Sequence, residues 1–203
     1  MGTKTTRCRL TEAALDLIWE RSYGATSVEA ICERAGVNKG SFYHFFASKS
    51  DLAVEAIEAD WQLRRPLMEQ TFRPGVPPLQ RFMDYFDAVS ARQSALKAER
   101  GRVLGCLLFS LGCEICTHDP AIATKVKEIL SHSLGFFEST VRDGHAAGLW
   151  ETPDALATAR ILFAFFEGTL SHARIENSLA PLERLKPGVC ELLGVPVPGH
   201  AVA

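Results

Sequence analysis

Four closely spaced side chains near residue 40 can donate or accept hydrogen bonds: Lys39, Ser41, Tyr43 and His44. Three phenylalanines are interleaved with them at i, i+3 and i+4: Phe42, Phe45 and Phe46. If this stretch is helical, the rings face a core and the polar side chains project outward. Gly40 leaves the helix start uncrowded. Such a helix suits hydrogen bonding to base edges in the DNA major groove. A histidine that only packs between helices is the alternative interpretation of His44.

The surrounding stretch, Thr26–Asp51, predicts the elements that position this helix. Thr26 followed by Glu29 is a capping box that begins one short helix. Gly36-Val37-Asn38 predicts a turn, with Asn38 as the N-cap of the second helix, Lys39 to Phe45 or Phe46. Ser48 and Asp51 form a second capping box that begins a further helix. Two short helices joined by a glycine turn form a helix-turn-helix.

The lead-in Tyr23–Thr26 and the segment Val28–Phe46 resemble the DNA-binding head of TetR-family regulators. The features that carry the resemblance are Gly24, Thr26, Ile31, Ala35-Gly36-Val37, Lys39-Gly40, Phe42-Tyr43, Phe46, Lys49 and Leu52. They cover about a quarter of the chain, and the caps, turn and recognition helix all fall in register. Two departures are Cys32, where a small alanine is usual, and Asn38, where serine is common.

The resemblance implies which residues contact DNA: Thr26, Ser27, Lys39, Gly40, Ser41, Tyr43, His44 and Lys49. We place Lys39 and Ser41 at base edges. The remaining side chains, including the hydroxyls of Thr26 and Ser27 and the ammonium of Lys49, are expected to hold phosphates.

Apolar periodicity elsewhere predicts an all-α fold. The first predicted helix runs over about Lys4–Ser22 and is capped by Gly24. After the helix-turn-helix, the predicted helices run over about Ser48–Met68, Leu79–Ala95, Arg102–Cys116, Asp119–Ala147 and Thr152–Glu176. A last helix begins at about Pro181, with a kink or split at Pro187-Gly188. The predicted domains are a helix-turn-helix head at 1–48, a helical ligand-binding and dimerisation body at 49–194, and an extended tail at 195–203.

Composition and charge are compatible with this organisation. Residues 1–50 hold seven Lys and Arg against five Asp and Glu, whereas the remainder is acidic, with 15 against 19. A mildly basic head on an acidic body permits phosphate binding at one end. Apolar runs are too short to span a bilayer and nothing marks the N-terminus for secretion, so we expect a cytoplasmic protein with no membrane partner. The six cysteines are expected to be reduced thiols.

The helix predicted at Thr152–Glu176 is apolar on more than one side and must bury both. Together with the leucines of the last helix it predicts a two-fold, four-helix interface, and hence a homodimer. TetR-type proteins dimerise in this way, and the two heads of a dimer read a palindromic operator.

The family resemblance also implies a ligand pocket in the body. The residues predicted to line it are Trp61, Phe82, Tyr85, Phe86, Cys106, Phe109, Cys113, Phe137 and Phe163. Core packing is the competing interpretation for each ring. A ligand that favours the arrangement unable to bind DNA would release the operator.

Cys106, Cys113 and Cys116 share one stripe of the predicted helix at 102–116, and three interpretations compete. In the first, the cysteines are small residues that pack in the core. In the second, they sense electrophiles. In the third, they bind a metal or act as a redox dithiol. Gly105–Leu108 resembles the NemR-like branch of the family, in which a cysteine near this helix start responds to electrophiles, and Arg102 could lower the pKa of Cys106. A zinc site formed by the cysteines of this segment would lack a fourth ligand. We therefore predict no metal and no cofactor.

The leading hypothesis is a one-component transcriptional regulator, a repressor released from a palindromic operator by a small hydrophobic or electrophilic effector. Two alternatives remain open. One is an enzyme built on a helical bundle, against which stands the lack of paired carboxylates, a serine–histidine array or a phosphate loop. The other is a ligand-independent DNA-binding or adaptor protein.

Overall fold

The computed structural model describes residues 5–198, and the regular elements within that range are all helical. The fold is all-α, as predicted. The helices are α1 Thr6–Glu20, α2 Val28–Ala35, α3 Lys39–Phe45, α4 Lys49–Thr71, α5 Pro78–Arg100, α6 Leu107–Ile115, α7 Pro120–Ala146, α8 Ala155–Glu176, a 3-10 helix Ala180–Arg184, and α9 Leu185–Leu193.

The described chain divides into two compact units. The head unit comprises the residues up to Arg65 together with Leu107–Leu130, and the body unit comprises Pro66–Cys106 together with the residues from Ser131 onward. The predicted boundaries at 48/49 and 194/195 concern functional domains and stay a prediction. The last residues of the predicted tail, 199–203, lie outside the described residues, as does Lys4, the predicted start of the first helix.

The head begins with a helix whose apolar stripe is buried as the sequence predicts: Leu10, Ala13, Ala14, Leu17 and Ile18. The predicted C-terminal cap at Gly24 is wrong. Arg21 is the C-cap, and its N–H donates to the carbonyl of Leu17. The four residues Tyr23–Thr26 therefore form a separate non-helical segment between α1 and α2.

The cap of α2 also differs from the prediction. Ser27 is the N-cap, and its hydroxyl accepts from the amide of Ala30, so the predicted Thr26–Glu29 capping box is wrong by one residue. Gly36 closes α2 at φ +63°, a left-handed conformation that glycine adopts without strain. Asn38 caps α3 as predicted, and the amide of Asp51 donates to the hydroxyl of Ser48 at 3.0 Å.

Three predicted helix ends in the middle of the chain were wrong. Helix α4 continues to Thr71 through Pro66, and α5 continues past its predicted end at Ala95 to Arg100, where Gly101 caps it at φ +73°. The helix predicted from Arg102 begins only at Leu107. Cys106 precedes α6 and Cys116 follows it, so the three thiols do not share one helix. Of the three, Cys113 alone lies within it.

Two further corrections concern the end of the chain. Asp154 is the N-cap of α8, so this helix begins at Ala155 rather than at the predicted Thr152. The predicted split in the last helix falls between Arg184 and Leu185, where the 3-10 helix gives way to α9. Pro187 lies in the first turn of α9, where its missing N–H breaks no intrahelical bond. An added Cβ at Gly188 would lie 2.3 Å from the ring of Phe165, so glycine is needed for this contact.

A buried arginine stabilises the turn that precedes α5. Arg81 is 2% exposed, and its guanidinium donates to the carbonyl of Val76 and to the carboxylate of Asp143 on α7. A buried guanidinium is tolerated only when its donors are satisfied. These bonds thus join α5, α7 and the 73–77 turn within the body unit.

Candidate nucleic-acid interface and effector-binding body

Helix α3 divides its residues between a core and a surface. Phe42 is fully buried, whereas Tyr43 is 55% exposed and both Lys39 and His44 are exposed. The hydroxyl and the amide of Ser41 both donate to the Asn38 side-chain oxygen, at 3.1 and 2.7 Å. The N-terminal turn of α3 is therefore fixed by its cap, while Lys39, Tyr43 and His44 face solvent.

One predicted core residue of α3 is at the surface. Phe45 is 36% exposed and contacts the ring of His44 edge-on at 4.8 Å. The sequence pattern placed it in the core because i, i+3 and i+4 share a face, but α3 ends at Phe45 and only Phe42 and Phe46 turn inward. His44 lies with Phe45 on the exposed side, which argues against a purely packing role for this histidine.

The ammonium of Lys39 is paired with the Glu29 carboxylate of α2 in this structure. The pair raises the pKa of Lys39 and lowers that of Glu29, chiefly through the hydrogen bond between them. Both side chains are more than half exposed, and exposed ion pairs contribute little net stability. Separating Lys39 from Glu29 should therefore cost little free energy.

The structure contradicts the predicted DNA contact through the hydroxyl of Thr26. Thr26 is 1% exposed, and its hydroxyl donates to the carbonyl of Ser22 at 2.7 Å. The neighbouring Ser27 is exposed at the start of α2. At Gly40, an added Cβ would lie 3.3 Å from the side-chain oxygen of Asn38, so glycine relieves crowding at the cap of α3.

Lys49 is directed inward, toward the Tyr23–Thr26 segment. Its ammonium donates to the carbonyls of Tyr23 and Thr26, each at 2.9 Å, and lies 4.0 Å from the centre of the Tyr23 ring. Burial lowers the pKa of Lys49, and the carboxylate of Glu114 opposes that shift. The predicted phosphate contact of Lys49 stays a prediction, and the structure adds a bracing role that the sequence did not indicate.

A clamp between α1 and α4 was not predicted from the sequence either. The Arg7 guanidinium pairs with the carboxylate of Glu55 through two nitrogens and lies 5.3 Å from the centre of the Phe46 ring. Glu55 also accepts from the hydroxyl of Thr11. The hydrogen bond from Arg7 is the main cause of the lowered pKa of Glu55. A separation of 48 residues gives no local sequence signal for this pair.

In the body unit, aromatic side chains form one connected cluster. Neighbouring ring centres lie 5.1–6.3 Å apart, a spacing at which aromatic pairs attract each other beyond their simple burial. The cluster consists of Phe72, Phe82, Tyr85, Phe86, Phe136, Phe137, Phe163 and Phe166. It includes five of the predicted ligand-binding residues, of which Phe82, Phe86 and Phe137 are buried in the core. Ligand contact by these five stays a prediction.

The other predicted ligand-binding residues are distributed between the units. Trp61, Phe109 and Cys113 belong to the head unit, and Cys106 belongs to the body unit. Trp61 is 2% exposed, Cys113 is exposed, and Phe109 and Cys106 are half-buried. Their ligand contacts likewise stay predictions.

The thiols differ in environment. Burial raises the pKa of the thiols of Cys32 and Cys190, and it is also the main cause of the raised pKa of Cys116. A raised pKa lowers the fraction of reactive thiolate. Cys106 follows Gly105, where an added Cβ would lie 3.4 Å from Cβ of Arg174. Arg174, rather than the exposed Arg102, is therefore the arginine that packs beside this segment.

A groove of about 410 Å³ lies between α5 and the C-terminal segment of the body unit. Its apolar lining includes Phe86, Leu179 and Leu182. An ion pair between Asp87 and Lys186, 2.5 Å apart, borders it. Its volume is within the range of small-molecule sites. Of the predicted ligand-binding residues, Phe86 lines it.

Helix α8 carries an apolar stripe on its solvent side. Ile161 is 57% exposed and Ile175 is 81% exposed, and Gly168 lies midway between them at seven-residue intervals. On α9, Leu192 is 45% exposed. A heptad spacing of apolar residues on a helix surface is typical of a helix–helix interface.

No helix within residues 5–198 is both long and apolar enough to cross a membrane. Over the same part of the chain, no group of three or more His, Cys, Asp or Glu side chains is arranged to hold a metal ion.

Two family models match separate parts of the chain. The model of bacterial regulatory proteins of the tetR family matches residues 10–56. A tetracyclin repressor-like C-terminal domain matches residues 76–189, more than half of the chain. The chain belongs to the TetR family. It is thus a DNA-binding transcriptional regulator, and the resemblance inferred from Val28–Phe46 is confirmed.

Characterised relatives cover nearly the whole chain. The transcriptional repressor DhaR of Mycobacterium sp. (strain GP1) is 26% identical over 95% of this chain and 94% of its own length. The transcriptional regulator AcuR of Cereibacter sphaeroides is 30% identical over 85% of this chain and 78% of its own. The crystal structure of reduced Escherichia coli NemR has the same fold, with a TM-score of 0.80 and 21% identity over 96% of this chain and 99% of that one.

Proposed function

We propose that this TetR-family regulator is a homodimeric repressor that binds a palindromic operator and releases it in response to a small hydrophobic or electrophilic effector. Relatives named as repressors, DhaR and NemR, align along almost its full length. The observation that carries the proposal is the division of α3, in which Phe42 is fully buried whereas Lys39, Tyr43 and His44 are exposed.

Within this proposal the residues of α3 have distinct roles. Lys39 and Ser41 contact base edges from the first turn, which Gly40 keeps free of bulk. Tyr43 and His44 hold phosphates, as does Ser27 at the start of α2. The pairing of Lys39 with Glu29 fits this assignment, because the carboxylate holds the ammonium at the surface until a competing acceptor arrives.

Operator binding tests the head assignment. The dimer is titrated against a labelled palindromic fragment from upstream of its own gene, and binding is followed by fluorescence anisotropy. Lys39→Ala and Tyr43→Ala should each weaken binding about ten-fold or more, since base and phosphate contacts contribute on the order of 1–3 kcal/mol. Lys127→Ala removes one exposed charge from α7 and should bind as the wild type does. Unchanged binding by both α3 variants would refute the assignment.

The dimer interface is assigned to the stripe on α8 together with Leu192 on α9. Two copies of these helices give a four-helix arrangement that buries Ile161 and Ile175. Ile161→Glu and Ile175→Glu should shift the protein toward monomer in sedimentation velocity at micromolar concentration. The matched control is Leu149→Glu, which introduces the same charge at a 46% exposed apolar residue outside the stripe. A wild-type monomer at this concentration would contradict the proposal.

A pair of cysteine variants distinguishes an electrophilic effector from a non-covalent hydrophobic one. N-ethylmaleimide should release the wild-type protein and Cys113→Ser from the operator, while Cys106→Ser should stay bound, with unchanged operator affinity before treatment. Equal release from Cys106→Ser would refute Cys106 as the responsive thiol. A wild-type protein that N-ethylmaleimide does not release would leave a non-covalent hydrophobic effector as the remaining branch of the proposal. Such an effector would be sought by growing crystals from protein purified without refolding.

A further inference from the structure

The segment Tyr23–Thr26 is held from one side by a carboxylate that comes from far along the chain. Glu114 lies on α6, and its two carboxylate oxygens accept from consecutive backbone amides, at 2.9 Å from the nitrogen of Tyr23 and 2.6 Å from that of Gly24. About ninety residues separate the donors from the acceptor. Hydrogen bonds to an ionised acceptor are stronger and shorter than neutral ones.

The same segment is held from another side by an ammonium. Lys49, in the first turn of α4, donates to the carbonyls of Tyr23 and Thr26. Within four residues, two amides therefore donate to Glu114 and two carbonyls accept from Lys49. These groups have no α-helical partners because the segment lies between α1 and α2, and unpaired backbone groups near a core are costly.

The segment determines where α2 begins. Thr26 is buried at 1% exposure and directly precedes Ser27, the N-cap of α2. Tyr23 is 9% exposed and lies under the ammonium of Lys49. A displacement of this backbone therefore shifts the N-cap, and with it the helix against which α3 packs.

Glycine at position 24 fits this arrangement. A Cβ added to Gly24 would lie 3.0 Å from Oε1 of Glu114, closer than almost any observed contact. The carboxylate would have to move away by a few tenths of an ångström. A left-handed turn is not the reason for this glycine, since its backbone does not have a positive φ.

We propose that Glu114 and Lys49 are positioning residues for operator binding: Glu114 couples α6 to the Tyr23–Thr26 segment, and Lys49 braces the same segment from α4. The inference rests on the proposed DNA-binding role of the head. It adds that the position of α6 sets the conformation of the helix-turn-helix through two backbone amides. By thermodynamic reciprocity, operator binding must then stabilise α6 in return.

Salt dependence separates positioning from phosphate contact. Glu114→Gln and Lys49→Met should each weaken operator binding about ten-fold, measured at a temperature at which thermal unfolding shows both variants to be fully folded. Removing a direct phosphate contact would lower the slope of log affinity against log salt by about 0.9, whereas replacing a positioning residue leaves the slope unchanged. The charge-matched controls are Glu151→Gln, whose side chain is 95% exposed, and Lys127→Met.

If Lys49→Met reduces the salt slope, Lys49 contacts a DNA phosphate, and its assignment as a positioning residue is wrong. For Glu114, wild-type affinity of Glu114→Gln would overturn the other half. If the wild-type protein itself fails to bind the operator, the proposed function fails instead, and hydrogen exchange in the free protein then decides only whether Glu114 holds the Tyr23–Thr26 segment.

Hydrogen exchange of the amides tests the coupling without any effector. In the free protein, Glu114→Gln should speed exchange at Tyr23 and Gly24 at least several-fold, while Glu151→Gln should not. Adding operator should slow exchange within α6 of the wild type and leave α6 of Glu114→Gln unchanged. Unaltered exchange at Tyr23 and Gly24 in Glu114→Gln would show that the carboxylate does not hold the segment.

Gly24→Ala supplies an independent variant that keeps both charges. It should reproduce a part of the weakened binding caused by Glu114→Gln. The double variant should be less impaired than the product of the two single effects, because both substitutions disturb the same contact. Fully multiplicative effects in this cycle would mean that Gly24 and Glu114 act separately, contrary to the inference.

Discussion

The recognition helix and the aromatic cluster use phenylalanine in opposite ways. In the head unit, Phe42 is the one fully buried ring of a short helix in which Lys39, Tyr43, His44 and Phe45 are exposed. In the body unit, Phe137 contacts the rings of Phe72, Phe82, Tyr85, Phe163 and Phe166. The ring of Phe42 anchors a helix whose exposed side chains form a surface, whereas the rings of the body unit mainly pack against one another.

This difference affects how function can be inferred. A short amphipathic helix has few ways to pack, so its exposed residues follow from the spacing of its buried ones. A cluster of rings from several helices has many possible arrangements, and only its packing shows which rings remain accessible. Four sets of variants test this contrast, in descending order of the effect expected.

The strongest destabilisation is expected from opening the aromatic cluster. Phe137→Ala should lower the free energy of unfolding by about 3–5 kcal/mol, because a buried ring is removed and its neighbours cannot fully close the cavity. Urea unfolding at fixed protein concentration measures this change. Phe42→Ala should cost a similar amount but should also abolish operator binding under conditions where the protein is folded. If the two variants bind the operator equally, Phe42 has no specific role in DNA binding beyond the stability that both rings provide.

A second large effect is expected where the body is tightly packed around a glycine. An added Cβ at Gly144 would lie 1.8 Å from the ring of Trp150, whose indole N–H is fixed by the carbonyl of Val141. Gly144→Ala should therefore cost about 1–3 kcal/mol through overpacking. The matched control is Gly135→Ala on the same helix, where nothing lies within 4 Å. There, alanine should stabilise by up to about 1 kcal/mol, and a stabilising Gly144→Ala would disprove the tight contact.

In the head, a smaller effect is expected from the cap of α3. Asn38→Ala removes the acceptor for the amide of Ser41 and should destabilise the head by about 1 kcal/mol. Asn38→Ser retains a capping oxygen and should recover most of that stability. Thermal unfolding and operator binding are measured on both variants. If alanine and serine behave alike, the cap does not fix the start of α3.

The weakest effect is expected from the clamp between α1 and α4, and it depends on pH. The folded state lowers the pKa of Glu55, mainly through the hydrogen bond from Arg7. A lowered carboxyl pKa adds stability above the unfolded value of about 4.3, and that stability is lost as the pH falls through the folded value. Glu55→Gln should thus cost less than about 1 kcal/mol at pH 7. The difference from wild type should shrink below about pH 4.3, and a difference that grows in acid would contradict the assignment.

Much of the head was predictable because its signals are local. The caps at Asn38 and Ser48, the glycine turn at Gly36 and the stripe of α1 each depend on residues within one or two helical turns. The errors there were also local. Thr26 and Ser27 are both good caps, and the choice between them was made by the burial of Thr26. Phe45 was misplaced because α3 ends before a further turn could bury it.

The contacts that cross long stretches of sequence were not predictable. Nothing near Glu114 indicates that its carboxylate binds the amides of Tyr23 and Gly24, and nothing near Arg7 indicates Glu55. The late start of α6 was missed because Arg102–Cys106 continues the apolar sequence of the helix that follows it. The structure shows Gln93 bonded to the backbone of Leu104 and Gly105 instead, with Gly105 at φ +65°.

Local sequence signals were sufficient for an all-α fold with a Phe42-anchored recognition helix, since helix periodicity, caps and turn residues act over short range. The TetR family was indicated by resemblance to a known head and not by these signals. Tertiary packing decided which lysine faces outward, which thiols are buried, and which rings are enclosed. It also decided that Tyr23–Thr26 is held by Glu114 and Lys49. These features depend on contacts between residues that are far apart in the sequence, and such contacts cannot be predicted from a local sequence pattern.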